Sequence, residues 1–567
     1  MTIAIVRRPV AAAAQALAES GLPPVLARIY AARGIQSAAE LDHSLAALPQ
    51  FGTLRGIDEA AARLARAIAR RERILIVADY DADGATACAV GVRGLRAMGA
   101  DVDFVVPNRF EYGYGLTPEI VALAAQRDPH LLVTVDNGIA SVDGVAEAAR
   151  RGIDVLITDH HLPGAQLPSP AIIVNPNQPG CTFPSKHIAG VGVMFYVLTA
   201  TRALLRSTGA FATRREPNLA ELLDLVALGT VADVVRLDQT NRVLVEQGLA
   251  RIRAGRAQPG VLALFAVAGR DARRATAFDL GYVAGPRLNA AGRLADMAIG
   301  IRCLLADTGE EAQALAAQLD RLNRERREVE ATMQDQALAD LSDGAGDPGP
   351  DQFTVCLFRP EWHQGVVGIV AGRLKDRFHR PAIVFARAGN GELRGSGRSI
   401  AGFHLRDALD LVTKRAPGMI AKFGGHAFAA GLSLPEAALP AFRDAFETTA
   451  RERLTPADLA QTCASDGCLA RGELTFALAG VLRDRVWGQG LPAPTFDDLF
   501  AVLASRIVGG RHTKLTLERD GERFEAILFG HSGPLPPRIH AAFRPTVNEW
   551  QGTASLELAI EHWLPAR

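Results

Sequence analysis

The stretch ILIVADYDADGAT, residues 74–86, decides the fold of the first half of this chain. Its first five residues form an apolar run that is typical of a buried strand. Three carboxylates follow within the next five positions, at Asp79, Asp81 and Asp83. The small and apolar residues at 85–98 then predict a helix. A strand that runs into an acidic turn and a helix predicts the opening of a βαβ unit.

The same alternation continues beyond this stretch. Helical segments through 85–98, from Pro118 and from Ser141 alternate with apolar β-rich runs at 102–106, 131–135, 155–157 and 172–174. This order predicts right-handed βαβ units and a parallel sheet that is covered on both faces. Because ligands of such sheets bind beyond the carboxyl ends of the strands, we expect the chemistry there.

The rest of the chain predicts three further parts. Residues 308–341 contain no proline and only one glycine, and their apolar spacing predicts a helix about 50 Å long. A linker rich in Gly, Pro and Asp at 342–351 precedes runs at 353–358, 366–374 and 382–385, which indicate strand, helix and strand. Beyond about Thr455, alternating runs at 515–518, 524–528 and 555–560 indicate a small barrel or sandwich.

Length, composition and charge restrict the class of protein. The chain has 567 residues, of which 48% are hydrophobic and 22% charged, so we expect a globular protein of three or four domains. Its 62 basic and 62 acidic residues cancel, which excludes a global basic charge but permits a local positive groove. No two of its cysteines form a C-x-x-C pair, so neither a thiolate zinc site nor a disulfide framework is indicated.

The N-terminal segment and the apolar runs predict no membrane attachment. Arg7 and Arg8 imitate a twin-arginine signal, but the Ala-rich stretch at 10–18 contains Gln15 and precedes Glu19, so we interpret it as an amphipathic helix. The longest uncharged apolar stretch, at 188–201, is shorter than the roughly 18 residues that span a membrane. We therefore expect a cytoplasmic protein with no membrane partner.

The carboxylates that follow the first strand indicate a metal site. Like charges this close repel one another unless cations lie among them. Their D-x-D-x-D-G order also matches the start of an EF-hand loop, but the twelfth position is Val90, where that loop needs a glutamate. A strand instead of a helix precedes the loop as well. An Asp-rich turn is the remaining structural alternative.

Two further strand ends bring metal-ligating residues to the same edge of the sheet. The run at 131–135 ends in Asp136, and the run at 155–157 precedes Asp159, His160 and His161. Asp136 alone could form an Asx turn, but such a turn does not explain convergence from three strands. Oxygen ligands with one or two histidines suit Mn²⁺, and Mg²⁺ or Zn²⁺ are alternatives. Asp233 lies in an apolar stretch at 229–235, where a metal would offset the cost of burying a carboxylate.

Ten segments together resemble those of a known family. In chain order they are VADYDADGAT (77–86), PNRFEYGYGL (107–116), VTVDNG (133–138), TDHH (158–161), GTVADVV (229–235), GPRLNAAGRL (285–294), LDRLNRERREVE (319–330), WHQGVVGIVAGRL (362–374), GSGRS (395–399) and GGHAFAAG (424–431). The chain resembles the RecJ family, the single-stranded-DNA-specific 5′-to-3′ exonucleases of the DHH phosphoesterase superfamily. The departures are small: Ala78 stands where the family pattern has Gly, and the last two segments vary only at small residues.

The resemblance implies an α/β fold in which a DHH-type parallel-sheet domain is joined by a long helix to a second α/β domain, the DHH-associated domain. An OB-fold-like β-barrel follows, on the strength of WGQGLPAP (487–494) and the segments at 504–517 and 548–560. Residues 466–567 hold 11 basic and 12 acidic residues, so any affinity of the barrel for DNA would come from local patches such as Arg506, Arg511 and Lys514. The implied parts are an N-terminal helical segment 1–55, a catalytic domain 56–305, a connecting helix 306–342, the DHH-associated domain 343–454 and a single-strand-binding domain 455–567.

The resemblance also implies a catalytic centre. Two divalent metal ions, with Mn²⁺ expected before Mg²⁺, would be held by Asp81, Asp83, Asp136, His160 and Asp233. Asp81 and Asp83 would each bind one ion, and Asp136 would bridge the two. The implied catalytic residues are His161, which would contact the scissile phosphate, and Asp79 and Asp159, which would orient the ligands.

The substrate contacts that the resemblance implies are Arg109, Tyr114, Arg287, Asn289, Arg293, Ser396, Arg398 and His426. Among them, Arg109, Ser396 and Arg398 would form a pocket for the terminal 5′-phosphate. Tyr114, together with Phe110 and Tyr112, offers aromatic faces for stacking single-stranded bases, although aromatic residues more often serve packing.

The implied function is 5′-to-3′ hydrolysis of single-stranded DNA in recombination and repair, by two-metal-ion catalysis. The expected partners are single-stranded DNA with a 5′ end, a single-strand-binding protein and a repair helicase. One alternative is a DHH phosphoesterase for short oligonucleotides, cyclic dinucleotides or pyrophosphate, but such relatives generally have two domains. Another is a DNA-bound scaffold that has lost its metal ligands, but the sequence lacks none of them.

Overall fold

The computed structural model describes residues 3–108, 112, 115–344, 348–349, 351–389, 391–550 and 552–566. Arg109, Phe110 and Tyr114 therefore lie outside the described residues. The chain divides into two compact units, one of residues 7–323 with 465–567 and the other of residues 1–6 with 324–464. Within the described part of the chain, no helix is both long and apolar enough to cross a membrane.

One short strand and three α-helices, with short 3-10 turns between α2 and α3, precede the parallel sheet. They are β1 (Ala4–Arg7), α1 (Ala13–Glu19), α2 (Pro24–Ala31) and α3 (Ile57–Arg70). The helix α1 lies where the Ala-rich stretch predicts an amphipathic helix.

A five-stranded parallel sheet follows. Its strands and helices alternate along the chain as β2 (Arg73–Ala78), α4 (Ala82–Ala97), β3 (Asp101–Val105), α5 (Pro118–Ala125), β4 (Leu131–Val135), α6 (Val142–Arg150), β5 (Asp154–Thr158) and β6 (Ile172–Val174). The strand order is β3-β2-β4-β5-β6, and all neighbours are parallel. Along β2, Ile74 and Ile76 pack into one apolar cluster, and Leu75 and Val77 pack into another. The continuous apolar run thus reflects burial of both faces, as predicted.

Helices complete the first domain. They are α7 (Gly190–Ser207), α8 (Leu223–Ala232), α9 (Gln239–Arg253), α10 (Pro259–Val267), α11 (Ala277–Asp279), α12 (Gly285–Leu294), α13 (Ala298–Leu305) and α14 (Gly309–Gly344). A π-helical turn at Leu280–Ala284 joins α11 to α12. The long helix predicted at 308–341 is α14, and the division between the two compact units falls within it, after Asn323.

The second unit contains a mixed sheet. Its elements are β7 (Val355–Phe358), α15 (Val367–Phe378), β8 (Ala382–Gly389), β9 (Glu392–Arg398), α16 (Leu405–Arg415), β10 (Lys422–Gly425), β11 (Ala429–Pro435), α17 (Leu439–Arg453) and β12 (Thr462–Ser465). The strand order is β10-β11-β9-β8-β7, with β7 and β8 parallel and the other pairs antiparallel. The strand β12 pairs with β1.

The C-terminal residues form a closed barrel, which decides between the two β architectures that the sequence allows. After α18 (Phe476–Asp484), its strands are β13 (Phe496–Val508), β14 (His512–Arg519), β15 (Glu522–Leu528), β16 (Arg538–Trp550) and β17 (Thr553–Pro565). Parallel pairing of β15 with β17 closes the order β13-β14-β15-β17-β16 around buried Phe496, Phe500 and Phe543. The predicted fold class is confirmed, whereas the predicted domain limits stay predictions.

Candidate metal centre and nucleic-acid interface

The carboxyl ends of β2, β4 and β5 form the candidate site. The neighbours β2 and β4 lead to strands on opposite sides, because β3 lies beyond β2 and β5 lies beyond β4. Such a reversal of strand order opens a crevice at the carboxyl ends, where ligands of α/β sheets bind. Residues 79–83 follow β2, Asp136 follows β4 and residues 159–161 follow β5. The predicted convergence at one edge is therefore present.

The acidic and histidine side chains meet in three groups whose ligand atoms lie within 4.8 Å of one another. The groups are Asp79 with Asp81 and Asp136, Asp136 with His160 and His161, and Asp83 with His160 and Asp233. Asp136 and His160 each belong to two groups. The Nε2 atom of His160 lies 3.1 Å from Oδ1 of Asp136, 3.5 Å from Oδ2 of Asp233 and 3.8 Å from Oδ2 of Asp83.

Main-chain donors hold Asp83 in place. The N–H groups of Gly190 and Val191, which begin α7, donate to its carboxylate at 2.7 and 2.9 Å. A helix N-terminus carries unpaired N–H groups and a positive partial charge, so it stabilises a carboxylate. The approach requires glycine at position 190, because a Cβ atom there would lie 2.7 Å from Oδ1 of Asp136.

The turn after β2 is held by its own cap and by α12. Asp81 caps α4, where its Oδ1 accepts hydrogen bonds from the N–H groups of Asp83 at 2.9 Å and Gly84 at 3.1 Å. The Oδ1 atom of Asn289 accepts a hydrogen bond from the N–H of Ala82 at 2.8 Å. Asn289, predicted to contact substrate, therefore positions the acidic turn through its carbonyl oxygen.

The turn after β4 is bonded to the end of β2 and to the end of its own strand. Asp136 is buried and adopts a left-handed φ of 63°. The Nδ2 atom of Asn137 donates to the carbonyl oxygens of Val77 at 3.2 Å and Val135 at 2.9 Å. Gly138 continues the turn with a φ of 113°. The ends of β2 and β4 are thus tied together beside the buried carboxylate.

Asp159 organises the third strand end. Its buried carboxylate accepts hydrogen bonds from the N–H of Ile139 at 2.9 Å and the N–H of His160 at 2.7 Å, and its Oδ1 lies 2.8 Å from Nδ1 of His161. The side-chain amides of Asn175 and Asn177 donate to the carbonyl oxygens of His161 and His160 at 3.0 and 2.6 Å. Hydrogen bonds therefore fix the main chain of both histidines and the ring of His161.

The charges of this cluster shift its pKa values in opposite directions. Burial, reinforced by the charge of Asp81, raises the pKa of Asp83 to about 7. Burial and neighbouring carboxylates likewise raise the pKa values of Asp136 and Asp233 well above their ordinary range. Burial opposes charge on His161, but its hydrogen bond to Asp159 and the surrounding carboxylates raise its pKa to about 9. Burial also works against the charge of Asp159, yet the bond and charge of His161 hold its pKa below the ordinary value.

The residues present fit a divalent cation. The donor set combines carboxylate oxygens with imidazole nitrogen, the ligand types that suit Mn²⁺ and, for the oxygens, Mg²⁺. The raised pKa values of the buried acids indicate that positive charge is needed to keep them ionised together. Asp79 shares a group with Asp81 and Asp136, which places it among the groups that could contact an ion directly.

Two predicted substrate contacts lie on α12 with Asn289. Arg287 is only 8% exposed, and its guanidinium bonds to Oδ1 of Asp320 at 3.0 Å and to the carbonyl oxygen of Val283 at 2.7 Å. Arg287 is thus bonded within the protein, and its predicted contact with substrate stays a prediction. Arg293 is half-buried near the end of the same helix.

The other unit places two predicted phosphate contacts side by side. Nη1 of Arg398 lies 3.3 Å from Oγ of Ser396 and donates to the carbonyl oxygen of Gly397 at 2.9 Å. Gly368, in the first turn of α15, approaches so closely that a Cβ atom would lie 2.8 Å from Oγ of Ser396. A hydroxyl, a guanidinium and a helix N-terminus therefore meet, a combination that suits an anion. His426 is exposed between β10 and β11.

Several positioning residues were not predicted. Gly190 and Val191 bind Asp83 from a distance of more than 100 positions along the chain, and the sequence offers only a run of small residues, AGVGV at 189–193, as a signal. Asn175 and Asn177 stand in the motif NPN directly after β6. These polar residues at the end of β6 are the signal in the sequence that could have indicated their role in positioning the site.

Comparisons with known proteins agree with this architecture. The model of the DHH family, N-terminal domain, matches residues 73–230, that of the DHHA1 domain matches residues 351–452, and that of the RecJ OB domain matches residues 465–562. The single-stranded-DNA-specific exonuclease RecJ of Dickeya dadantii is 51% identical over 557 residues, which cover 96% of each chain.

Solved structures show the same relationship. The crystal structure of RecJ from Thermus thermophilus in complex with Mn²⁺ matches with a TM-score of 0.83 and 31% identity over 100% of this chain and 80% of that one. The complex with Mg²⁺ matches with a TM-score of 0.77 and 30% identity over 100% and 79%. These matches confirm the resemblance carried by the ten sequence segments, and the chain therefore belongs to the RecJ family.

Proposed function

We propose that this protein is a metal-dependent exonuclease that hydrolyses phosphodiester bonds of single-stranded DNA from the 5′ end, in DNA recombination and repair. The observation that carries the proposal is the set of three ligand groups at the edge of the parallel sheet, which are linked because Asp136 and His160 each belong to two of them. Relatives that resemble the chain over nearly its whole length are named single-stranded-DNA-specific exonucleases.

The ligand groups support a centre for two divalent ions, Mn²⁺ or Mg²⁺. One ion would be held by Asp81 and the other by Asp83, His160 and Asp233, with Asp136 between them, and Asp79 lies close enough to join the first. Bound ions would supply Lewis-acid polarisation of the phosphate and a more acidic water. The residues around them keep the carboxylates apart and oriented before any ion binds.

His161 would act on the phosphate as a charged donor. With a pKa raised to about 9, the imidazole is protonated at neutral pH. Its Nδ1 is bonded to Asp159 at 2.8 Å, and the opposite ring nitrogen would face a phosphate oxygen. Asp159 would thus orient His161 and stabilise its charge, without itself touching the substrate.

Residues of the second unit would recognise the end of the strand. Ser396 and Arg398 combine a hydroxyl with a guanidinium beside the first turn of α15, which suits a terminal 5′-phosphate. Arg109, Tyr114, Arg287, Asn289, Arg293 and His426 remain proposed substrate contacts. A single-strand-binding protein and a repair helicase are the proposed partners, and a cytoplasmic location follows from DNA as the substrate.

The decisive experiment is digestion of single strands that carry a label at either the 5′ or the 3′ end. We expect release of labelled mononucleotides at once from the 5′-labelled strand, and shortening ladders from the 3′-labelled strand, only when Mn²⁺ or Mg²⁺ is present. Digestion from the 3′ end, internal cuts or activity in EDTA would contradict the proposal.

A second experiment addresses the phosphate contacts. Arg398→Ala should slow digestion of 5′-phosphorylated strands and reduce their advantage over 5′-hydroxyl strands, because bidentate charge-assisted bonds to the terminal group are lost. Arg394→Ala is a matched control, since Arg394 lies four positions earlier on the same strand β9 and is exposed. Equal loss on both substrates would show that end recognition lies elsewhere.

A further inference from the structure

A cleft of about 660 Å³ lies between the parallel-sheet domain and the barrel, inside one compact unit. Four stretches of the chain line it: the end of α8 with the residues after it (231–237), the segment from Thr276 to Tyr282, the end of α18 with the residues after it (482–494), and part of β16 (544–547).

One lining residue of the cleft directly follows a proposed metal ligand in the sequence. Asp233 belongs to the ligand group with Asp83 and His160, and the next residue, Val234, lines the cleft and is 64% exposed. Val234 has a φ of 60°, a left-handed conformation that is an outlier for a β-branched residue. A strained backbone conformation persists where the surrounding structure holds it. Here the conformation exposes the apolar side chain of Val234 to the cleft, next in sequence to the proposed metal ligand Asp233.

Two aromatic rings stand in the cleft. Phe278 is 58% exposed and Tyr282 is 67% exposed, and their rings stack with centroids 4.7 Å apart and planes 19° apart. The pair is carried by α11 and the π-helical turn, a feature that is rare and frequent at functional sites. Since the rings cover only one face of each other, an outer face of the pair is available to a further flat ring.

The positively charged side chains of the cleft indicate an anionic ligand. Arg483, Arg485 and Arg544 line it, and among the described lining residues none is acidic. The carboxylates paired with two of these arginines lie outside the lining: Arg483 pairs with Asp484 at 2.9 Å and Glu549 at 3.8 Å, and Arg544 pairs with Glu561 at 3.4 Å. Aromatic faces combined with guanidinium groups match the stacked bases and the phosphates of a single strand.

The loop that completes the lining is firmly attached. The N–H of Leu237 donates to the carbonyl oxygen of Gln489 at 2.8 Å, and the indole N–H of Trp487 donates to the carbonyl oxygen of Leu482 at 2.6 Å. Trp487 also stacks on Tyr30 at 5.5 Å. The motif WGQG at 487–490 therefore fixes the barrel side of the cleft against the domain that carries the metal ligands.

We propose that this cleft holds the substrate strand on the 3′ side of the scissile bond, with one base stacked on the Phe278–Tyr282 pair and the phosphates beside the three arginines. The inference rests on the proposed function, because the direction of the strand follows from 5′-end digestion. It adds a base-stacking platform that recognises the presence of a base and not its identity, since every base has a stacking face.

The test measures stacking and binding without cleavage. A 5′-phosphorylated single strand with 2-aminopurine at one position at a time is bound to the full-length protein in EDTA. We expect fluorescence quenching at one or two adjacent positions, and its loss in the double variant Phe278→Ala, Tyr282→Ala. The same variant should bind at least about fivefold more weakly, because stacking contributes about 1–3 kcal/mol per base.

Two controls separate stacking from folding. Tyr282→Phe keeps the ring and should keep the quenching. Phe476→Ala removes an aromatic side chain that is 47% exposed in the same unit but does not line the cleft, and it should leave both signals unchanged.

The outcomes also distinguish the inference from the proposed function. Unchanged quenching in the double variant overturns the stacking platform, whether or not affinity falls. Absence of position-specific quenching in the wild type also overturns it, and leaves another occupant, such as a protein segment, for the cleft. If the quenching behaves as expected but labelled strands are not digested with Mn²⁺, the proposed function fails while the binding cleft stands.

Discussion

Gly190 offers a direct way to disturb the metal centre without removing any of its ligands. An alanine Cβ atom at this position would lie 2.7 Å from Oδ1, 2.8 Å from Cβ and 3.0 Å from Cα of Asp136. Ordinary van der Waals contact begins at 3.4 Å, so Asp136 or the start of α7 must move by about 0.4–0.7 Å. A movement of α7 would also lengthen the hydrogen bond from Gly190 to Asp83.

The displacement sets the expected loss of activity. Metal–ligand distances are tolerated within about 0.2 Å, and a misplacement of about 1 Å can reduce a rate by about 100-fold. We therefore expect Gly190→Ala to lower kcat by about 10- to 100-fold, equivalent to about 1.4–2.7 kcal/mol of barrier. Overpacking should also reduce the free energy of unfolding by about 1–3 kcal/mol.

Initial rates on a 5′-phosphorylated single strand, measured across a Mn²⁺ titration, check this expectation. Gly91→Ala is the matched control, because its Cβ would meet the ends of two flexible side chains, Ile76 at 2.8 Å and Met194 at 3.2 Å. That variant should lose stability but keep its rate within about twofold. A folded Gly190→Ala protein with a wild-type plateau at saturating Mn²⁺ would refute the argument that contact with α7 sets the position of Asp136.

Three further predictions follow from the same geometry and charges. Asp136→Ala should reduce hydrolysis to less than about a tenth of the wild-type rate, since it removes the ligand shared between two groups, while single-strand binding in EDTA, measured by fluorescence anisotropy, changes little. In EDTA the wild type should become less stable by about 2 kcal/mol between about pH 5.5 and 8. The pKa of Asp83 is raised from 3.8 to about 7 in the folded state. The stability that its protonated form contributes is therefore present at low pH and is lost as the pH rises to about 7. An increase in the urea midpoint between pH 5.5 and 8 would contradict this prediction. Burial opposes the charge of Asp497, but the hydrogen bonds of Arg7 and of a hydroxyl and an imidazole lower its pKa to about 2, so its stabilisation is present above about pH 4 and lost as the pH falls towards 2. Because Arg7 is half-exposed, we expect Asp497→Asn to cost about 1–2 kcal/mol at pH 7, and urea unfolding at pH 7 and at pH 3 should show the difference shrinking at the lower pH.

The sequence predicts the parts of the site that depend on a local pattern, an apolar run followed by polar residues, and on the rule that ligands bind at the carboxyl ends of parallel strands. Asp79 to Asp83, Asp136 and His160 each follow an apolar run directly, and parallel strands bring their carboxyl ends to one edge. Neither step needs knowledge of distant contacts. The sheet, the long helix and the convergence of metal-ligating residues could therefore be predicted before the structure.

The parts that sequence does not predict depend on long-range packing. Nothing local shows that the N–H groups of Gly190 and Val191 would reach Asp83, since the contact needs α7 to begin against α4. A guanidinium has the same chemistry beside DNA and inside a protein, so the sequence does not show that Arg287 bonds to Asp320. Barrel and sandwich differ here by the pairing of β15 with β17, which is equally non-local.

The support around the acidic cluster explains how such a site can fold before it binds an ion. Several buried carboxylates in one crevice repel one another and lose hydration, and both effects appear in the raised pKa values of Asp83, Asp136 and Asp233. The N-terminus of α7 offsets part of this cost at Asp83, and the amide of Asn137 joins the two strand ends without adding charge. The remaining repulsion is relieved only by protons or cations. Divalent ions should therefore stabilise the unit with the parallel sheet most strongly above pH 7, where protons no longer do so.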